Sequence, residues 1–282
     1  MKRFVIFSIS AGFFAICWIR NLFFRLVGRK RLGGCVVIYY HAVPDKRRAQ
    51  FEKQMDDLVR LVEPVPAYRE CPLPAGKRYA VVTFDDGYRN LLTNALPLLK
   101  TKGIPSTIFI VPGMLGRSPE LRDSSTDSVE DRMVMSVEEL QQVSSDLVTV
   151  GSHSLTHPYL PRLTAKEARR ELSQSRSVLE TMLQKPVRLF CFPFGACNEE
   201  LFRLCHEEGY ERVFTALPHW KLSGVSEFVT GRVRVDPTDW RLEFRLKLLG
   251  AYRWLPIAVE MKRRILWRHG ETPSSHTMAL SL

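Results

Sequence analysis

The chain is predicted to be an α/β protein built on a largely parallel sheet, either doubly wound or closed into a barrel. Short runs of β-branched and aromatic residues alternate with amphipathic stretches about six times, without an internal repeat. Turn and capping residues punctuate most of the changes. Polar residues capable of chemistry fall just past the ends of the apolar runs, where parallel α/β sheets gather their functional groups.

Taken in order, Val36-Val37-Ile38-Tyr39-Tyr40 reads as a buried strand ending at His41. Phe51, Met55, Leu58, Val59 and Val62 recur at helical spacing. Ala80 to Phe84 is a second strand, Leu91 to Lys100 a helix closed by Gly103, and Thr107 to Val111 a third strand. Residues 112–135 mix Pro, Gly, Ser, Asp and Arg without a period, which predicts a long loop near the functional face. Ser136 with Glu139 and Thr164 with Glu167 are capping-box signatures, the first for a short helix and the second for one running to about Gln184. Leu147–Val150 and Arg188–Phe192 are strands, Glu199 to Glu208 is a helix ended by Gly209, and Val213–Ala216 and Phe228–Val235 complete the set.

The chain is 45% hydrophobic and 25% charged, ordinary values that exclude disorder of the whole. Its net charge of +11 is not spread evenly. Residues 1–31 hold seven Lys/Arg and no acid, and residues 241–282 hold eight Lys/Arg and three Glu. The stretch between them carries 26 basic and 27 acidic residues. Basic ends rich in Trp, Phe and Leu point to anionic lipid headgroups, and no motif for nucleic acid accompanies the charge.

Residues 4–19 contain no charged side chain, follow Lys2 and Arg3, and give way to Arg20 before Leu22, Phe23 and Phe24 resume the apolar character. The run lacks a small-residue cleavage site, and Arg29-Lys30-Arg31 argues against reading Leu32-Gly33-Gly34-Cys35 as a lipoprotein box. An uncleaved N-terminal membrane anchor is the expectation. Arg20, Arg25, Arg29, Lys30 and Arg31 follow the run, which by the positive-inside tendency puts the body of the chain on the cytoplasmic side. Six cysteines without framework spacing agree, and an exported body is the alternative. The organisation is then an anchor and linker over 1–31, a domain over 32–240 and a basic tail over 241–282. Residues 241–268 of that tail interleave basic and large apolar residues around a break at Pro256, as in a pair of interfacial helices, with packing against the barrel as the alternative.

Two clusters carry the chemistry: Thr83-Phe84-Asp85-Asp86-Gly87 and His153-Ser154-Leu155-Thr156-His157-Pro158. Adjacent residues at a strand end point in different directions, so Asp85 and Asp86 divide their work. His153 and His157 can share a face on one turn of helix or a tight loop. An Asp with two His and open positions suits a divalent cation, Zn²⁺, Co²⁺, Ni²⁺ or Fe²⁺, and a second carboxylate can handle a proton.

With Phe192-Pro193-Phe194-Gly195 and the Gly209-Tyr210 turn, these motifs resemble the polysaccharide deacetylases of carbohydrate esterase family four over about residues 35–240. The resemblance implies a distorted (β/α) barrel that removes acetyl groups from N-acetylated sugars. By motif position it makes Asp86, His153 and His157 the metal ligands, Zn²⁺ foremost, and Asp85 the general base. Pro193, Phe194 and Gly195 would form the oxyanion and substrate edge, with the Phe194 N–H as a donor. Many members carry an Arg two residues before the motif Pro, where this chain has Cys191; Arg232 in Thr230-Gly231-Arg232-Val233 resembles the Arg that a subgroup carries on a later strand. No C-terminal Leu-x-x-His element supplies the acid. Tyr39-Tyr40-His41-Ala42-Val43 instead resembles the N-terminal element of the poly-β-1,6-N-acetylglucosamine deacetylase subgroup, which makes His41 the acid. Trp220 and Trp240 could stack on sugar rings.

The leading expectation is a membrane-anchored, metal-dependent N-deacetylase of an N-acetylhexosamine glycan, such as a nascent exopolysaccharide or a lipid-linked intermediate. Deformylation of a lipid-linked amino sugar and a catalytically silent glycan-binding scaffold are the alternatives.

Overall fold

The computed structural model of the protein describes residues 2–26, 34–68, 73–74, 76–117, 130–143, 145–218 and 228–268. A long apolar helix, α1 (Lys2–Leu26), comes first. Then β1 (Gly34–Tyr40) leads through α2 (Arg48–Leu61) and the short β2 (Glu63–Pro64) to β3 (Arg78–Phe84). The helix expected over 91–100 is two pieces, α3 (Asn90–Asn94) and α4 (Leu96–Thr101), because Pro97 has no N–H to continue the ladder across Ala95. After β4 (Ser106–Ile110) the chain enters the expected long loop, of which residues 118–129 lie outside the described residues. It returns through α5 (Val137–Val143), β5 (Val148–Ser152), α6 (Ala165–Leu183), β6 (Leu189–Cys191), α7 (Glu199–Glu207) and β7 (Arg212–Thr215). Both capping boxes form: Ser136 and Glu139 exchange backbone-to-side-chain bonds at 2.9 and 3.3 Å, and Thr164 and Glu167 at 2.8 and 3.3 Å.

The segment expected as one last strand is interrupted. β8 (Val229–Gly231) pairs with β7, and β9 (Val233–Arg234) pairs with β1. The path β8-β7-β6-β5-β4-β3-β1-β9 therefore ends on two pieces separated by one residue, Arg232, and the parallel sheet nearly closes into a barrel with Arg232 at the seam. β5 and β6 meet at a single register pair, Ser152 with Phe190, the shortest ladder among the described strands.

Strand alternation sorts the side chains. Cys35, Val37, Tyr79, Val81, Phe109, Leu189, Cys191 and Phe214 form one buried cluster, and Val36, Ile38, Tyr40, Val82, Phe84 and Ile108 belong to the larger one that packs against helices.

The tail is part of this packing. In α8 (Arg241–Leu248), Phe244, Leu246 and Leu248 are core residues, and Arg241 and Arg245 grip the buried Asp57 of α2 at 2.9–3.2 Å. The tail breaks at Gly250, which has a φ of +78°, rather than at Pro256. Pro256 occupies the first turn of α9 (Leu255–Arg268), where no intrahelical bond is lost. One stripe of α1 joins the same assembly: Ile6, Phe7, Ala11 and Phe14 pack on the core, Trp254 Nε1 donates to Ser10 Oγ at 2.9 Å, and Arg3 pairs with Glu243 at 2.7 Å. Residues Lys2–Arg20 are long and apolar enough to cross a membrane, with a mean hydropathy of 1.6.

Candidate active site

β3 delivers the two aspartates. The Asp85 N–H donates to Tyr40 O at 2.9 Å, extending the β1–β3 ladder past the end of the strand. Asp86 and Gly87 then take φ of +68° and +72°, which turns the chain and separates the two carboxylates. A Cβ on Gly87 would sit 2.5 Å from Ile110 Cδ1, and its φ of +72° also favours glycine at this turn.

Asp85 is held by Arg232 as a two-pronged pair, Nη1 to Oδ1 and Nη2 to Oδ2, both at 2.7 Å. The other Arg232 donors reach Thr83 Oγ1 at 3.1 Å, Cys191 Sγ at 2.8 Å and Thr215 O at 3.3 Å. All five guanidinium N–H groups are thus committed, and the Tyr39 and Phe109 rings flank the cation at 4.3 and 5.4 Å. Burial pushes the Asp85 carboxyl up, but the guanidinium outweighs it and holds the group at about 2. Burial would lower Arg232, yet Asp85 raises it further above its ordinary value. Burial also pushes the Cys191 thiol well up, so Cys191 is a neutral neighbour of both Asp85 and Arg232. Arg232 thereby reaches the carboxylate from the seam of the barrel, while Cys191 stands at the motif position where an Arg was expected.

The second aspartate meets the histidines. His153 Nδ1 lies 2.7 Å from Cys191 O, and because a carbonyl only accepts, Nδ1 carries the proton and the Nε2 lone pair is left for ligation. The Nε2 atoms of His153 and His157 lie 3.7 and 3.6 Å from Asp86 Oδ1. Two ligand atoms on a tetrahedral ion, each ~2.1 Å from it, sit roughly 3.4 Å apart, so the three residues fit one divalent cation. Burial lowers both imidazoles to about 4, keeping them neutral lone-pair donors near neutral pH. Asp85, His153 and Cys191 also lie close enough to one another to suggest a cation, but Arg232 engages both Asp85 oxygens and the thiol keeps its proton.

The histidines are presented by a loop, with no helical turn between them. Ser154 and His157 adopt φ of +65° and +62°, and the His157 N–H donates to Ser154 Oγ at 3.0 Å. Glu171 of α6 clamps this loop, accepting from the N–H groups of Leu155 and Thr156 at 2.9 Å each and from Thr156 Oγ1 at 2.8 Å. Sequence reasoning missed Glu171, which looks like any solvent-facing helical acid until the loop folds over it. Five non-glycine residues among those described have positive φ; Asp86, Ser154, His157 and Phe194 are at this site, and only Gln184, a helix cap, is elsewhere. Such backbone strain, of order 1–3 kcal/mol per residue, persists where function needs a particular presentation.

Phe194 leaves a tight turn, Pro193–Gly195, the residue 48% exposed and its ring 4.6 Å from the His157 ring. A Cβ on Gly195 would lie 2.2 Å from Ala216 Cβ, which locks this turn against the end of β7. His41 stands just past β1, 5.7 Å from the Tyr39 ring and within electrostatic reach of Asp85 and His157. Trp220 lies outside the described residues. Trp240 is not beside these groups: it packs on Phe7 and Arg3 of α1.

This fold and site define a class, and residues 73–213, half of the chain, match the polysaccharide deacetylase family model; the chain belongs to that family. It is 25% identical over 142 residues to the poly-beta-1,6-N-acetyl-D-glucosamine N-deacetylase of Staphylococcus aureus, covering 49% of this chain and 48% of that protein. It is 24% identical over 165 residues to the peptidoglycan-N-acetylmuramic acid deacetylase PdaC of Bacillus subtilis, covering 58% of this chain and 30% of PdaC. The chain thus spans about half, or less, of the length of these relatives. Among solved structures, IcaB from Ammonifex degensii superposes with a TM-score of 0.65 at 25% identity, over 79% of this chain and 98% of that one.

Proposed function

We propose that this protein is a membrane-associated, metal-dependent N-deacetylase of an N-acetylhexosamine glycan. The observation that carries the reading is the pairing of an Arg-held carboxylate, Asp85, with an adjacent His–His–Asp donor set on the face where the strands end. A cation held by Asp86, His153 and His157 would polarise the acyl carbonyl and lower the pKa of a bound water, Zn²⁺ being the ion we favour. That acidification matters because a base held at about 2 cannot take a proton from ordinary water.

Asp85 is the general base. Each of its oxygens spends one lone pair on Arg232, and Oδ2 also accepts from the Cys191 thiol, so Oδ1 is the oxygen that keeps a lone pair for the attacking water. Arg232 fixes the carboxylate's orientation and keeps it charged. Pro193, Phe194 and Gly195 form the edge that meets the acetyl group, with the Phe194 N–H directed at the developing oxyanion, a contribution of ~3 kcal/mol. His41 protonates the departing amine. The scaffold alternative drew on the missing motif Arg, and Arg232 removes that motive.

The exposed face of α1, with Phe4, Ile16, Trp18, Ile19 and Phe23, together with Ile257 and Met261 of α9, is the membrane-seeking surface. The basic flank after α1 favours a cytoplasmic body, which protease protection in sealed vesicles tests. The activity is tested by acetate release, with formate measured alongside, from a panel of N-acetylated and N-formylated glycans with and without a chelator. Chelator-insensitive release, or none from any acceptor, would sink the proposal.

A further inference from the structure

α1 is long and apolar enough to cross a bilayer, yet it is attached to the body of the protein near both of its ends. In the first turn, Arg3 donates to Glu243 at 2.7 and 2.9 Å and to Thr238 O at 2.9 Å, and its guanidinium lies 4.9 Å from the Trp240 ring. The Phe7 ring meets Trp240 edge-on at 5.6 Å. One turn further, Ser10 is fully buried and accepts from Trp254 Nε1 at 2.9 Å. Ile6, Ala11 and Phe14 continue the stripe onto the core. At the other end, residues 27–33 alone connect Leu26 to the start of β1, a reach of less than about 30 Å.

These attachments fix how the helix runs. Arg3 and Ile6 share a cavity wall with Tyr39 and Ala42, at the C-terminal end of β1, and the chain after α1 returns to the N-terminal end of that strand. α1 therefore lies beside the barrel and does not project from it. The docked residues 3–14 rise ~17 Å, more than half of a ~30 Å hydrocarbon layer. A spanning α1 would draw α8 into that layer, with Asp57, Arg245 and the 67% exposed Arg241, which hydrocarbon does not accept. Were residues 3–14 instead clear of the layer, residues 15–26, with Arg20 and Arg25 among them, would be too short to cross it.

The side of α1 turned away from the body is apolar. Phe4, Ile9, Ile16, Trp18, Ile19 and Phe23 are exposed on it, and no charged residue falls between Arg3 and Arg20. Cations cluster at its edges in the sequence, Arg20 to Arg31 after the apolar run and Lys262, Arg263 and Arg264 in α9. An apolar face rimmed by cations suits the headgroup boundary of an anionic bilayer.

We propose that α1 lies in the plane of the membrane, with its outer face set into an anionic phospholipid leaflet and its inner stripe kept on α8 and Trp254. The protein is then monotopic, held on one side without crossing. Because the first turn of α1 also lines the cavity at the strand ends, this posture holds the catalytic face near the lipid surface. The inference rests on the membrane-association half of the proposed function and is independent of the chemistry at Asp85.

The test reads which side of the membrane each end of α1 occupies. Full-length protein with an N-terminal epitope tag is added in neutral detergent to sealed vesicles of phosphatidylcholine and phosphatidylglycerol. The detergent is removed, and the floated vesicles are treated with protease from outside. Tag and body are expected to be cut together. A tag protected inside while the body is digested outside would overturn the in-plane placement and leave membrane association standing. Ile16→Asp, at a position 68% exposed, is expected to weaken vesicle binding at least tenfold with the unfolding temperature unchanged. Undiminished binding by that folded variant would place the lipid contact on another surface and overturn the proposal. Protein that does not float, or that forms a lipid-free dimer split by Ile16→Asp, would overturn membrane association and this inference with it. Failure of the deacetylase reading would show separately, as no acetate release from any glycan.

Discussion

Arg232 and Asp85 are both buried, and neither could be so alone: a carboxylate stripped of water needs a partner, and this one takes two bonds from a fixed fork. Arg232→Ala is expected to cost about 3–5 kcal/mol of stability, because it strands the carboxylate, measured by denaturant unfolding. Arg232→Lys keeps the charge but loses the fork, so the acidic limb of kcat/KM should move to higher pH as Asp85 becomes easier to protonate. Asp85→Asn should lower kcat by ~10²–10⁴-fold while the protein still binds its metal by elemental analysis, since Asp86, His153 and His157 are untouched. Loss of the metal in that variant would overturn the division between the two aspartates. The histidines add a pH dependence of their own. Burial lowers His153 and His157 from 6.5 to about 4 in the fold, so between those values the unfolded chain holds more protons. Their contribution to stability is complete above 6.5 and is lost as pH falls towards 4. The unfolding temperature of the metal-free protein should therefore drop steeply across that window, and His157→Asn should flatten the slope in calorimetry.

The loops after the strands owe their shape to neighbouring elements as much as to their own residues. Glu171 is the plainest case, reaching from α6 to take the N–H groups of Leu155 and Thr156. Glu171→Gln should weaken metal affinity by ~10–100-fold with the ligands intact, read by competition with a chromogenic chelator. The elements whose signals are local were legible in the sequence: Thr164 and Glu167 cap α6 as their spacing implies, and β1 and β3 follow their apolar runs. Other features depended on longer-range contacts. Nothing around Arg232 announces that one strand will divide so that its halves pair at opposite edges of the sheet, because that follows from closing the barrel. The breaks at Pro97 and Gly250 were not among the expectations, because which residue ends each helix is decided by the packing around it.

α1 is docked on the body of the protein. Its inner stripe lies against α8 and Trp254, and its outer face carries the exposed Phe, Trp and Ile residues. Removing residues 1–26 should free the protein from anionic vesicles in a flotation assay and lower its unfolding temperature by about 2–8 °C, because the α8 surface loses its cover. The order of strands and helices, the histidine and aspartate motifs and the basic, apolar ends are all matters of neighbouring residues, and periodicity and capping chemistry reveal them directly. The meeting of Arg232 with a carboxylate 147 residues away, and the placing of Cys191 against both of them, were settled only by the nearly closed barrel. Contacts between residues so far apart in the chain are made by the whole set of packed layers, and no local pattern records which of many buried positions will face each other.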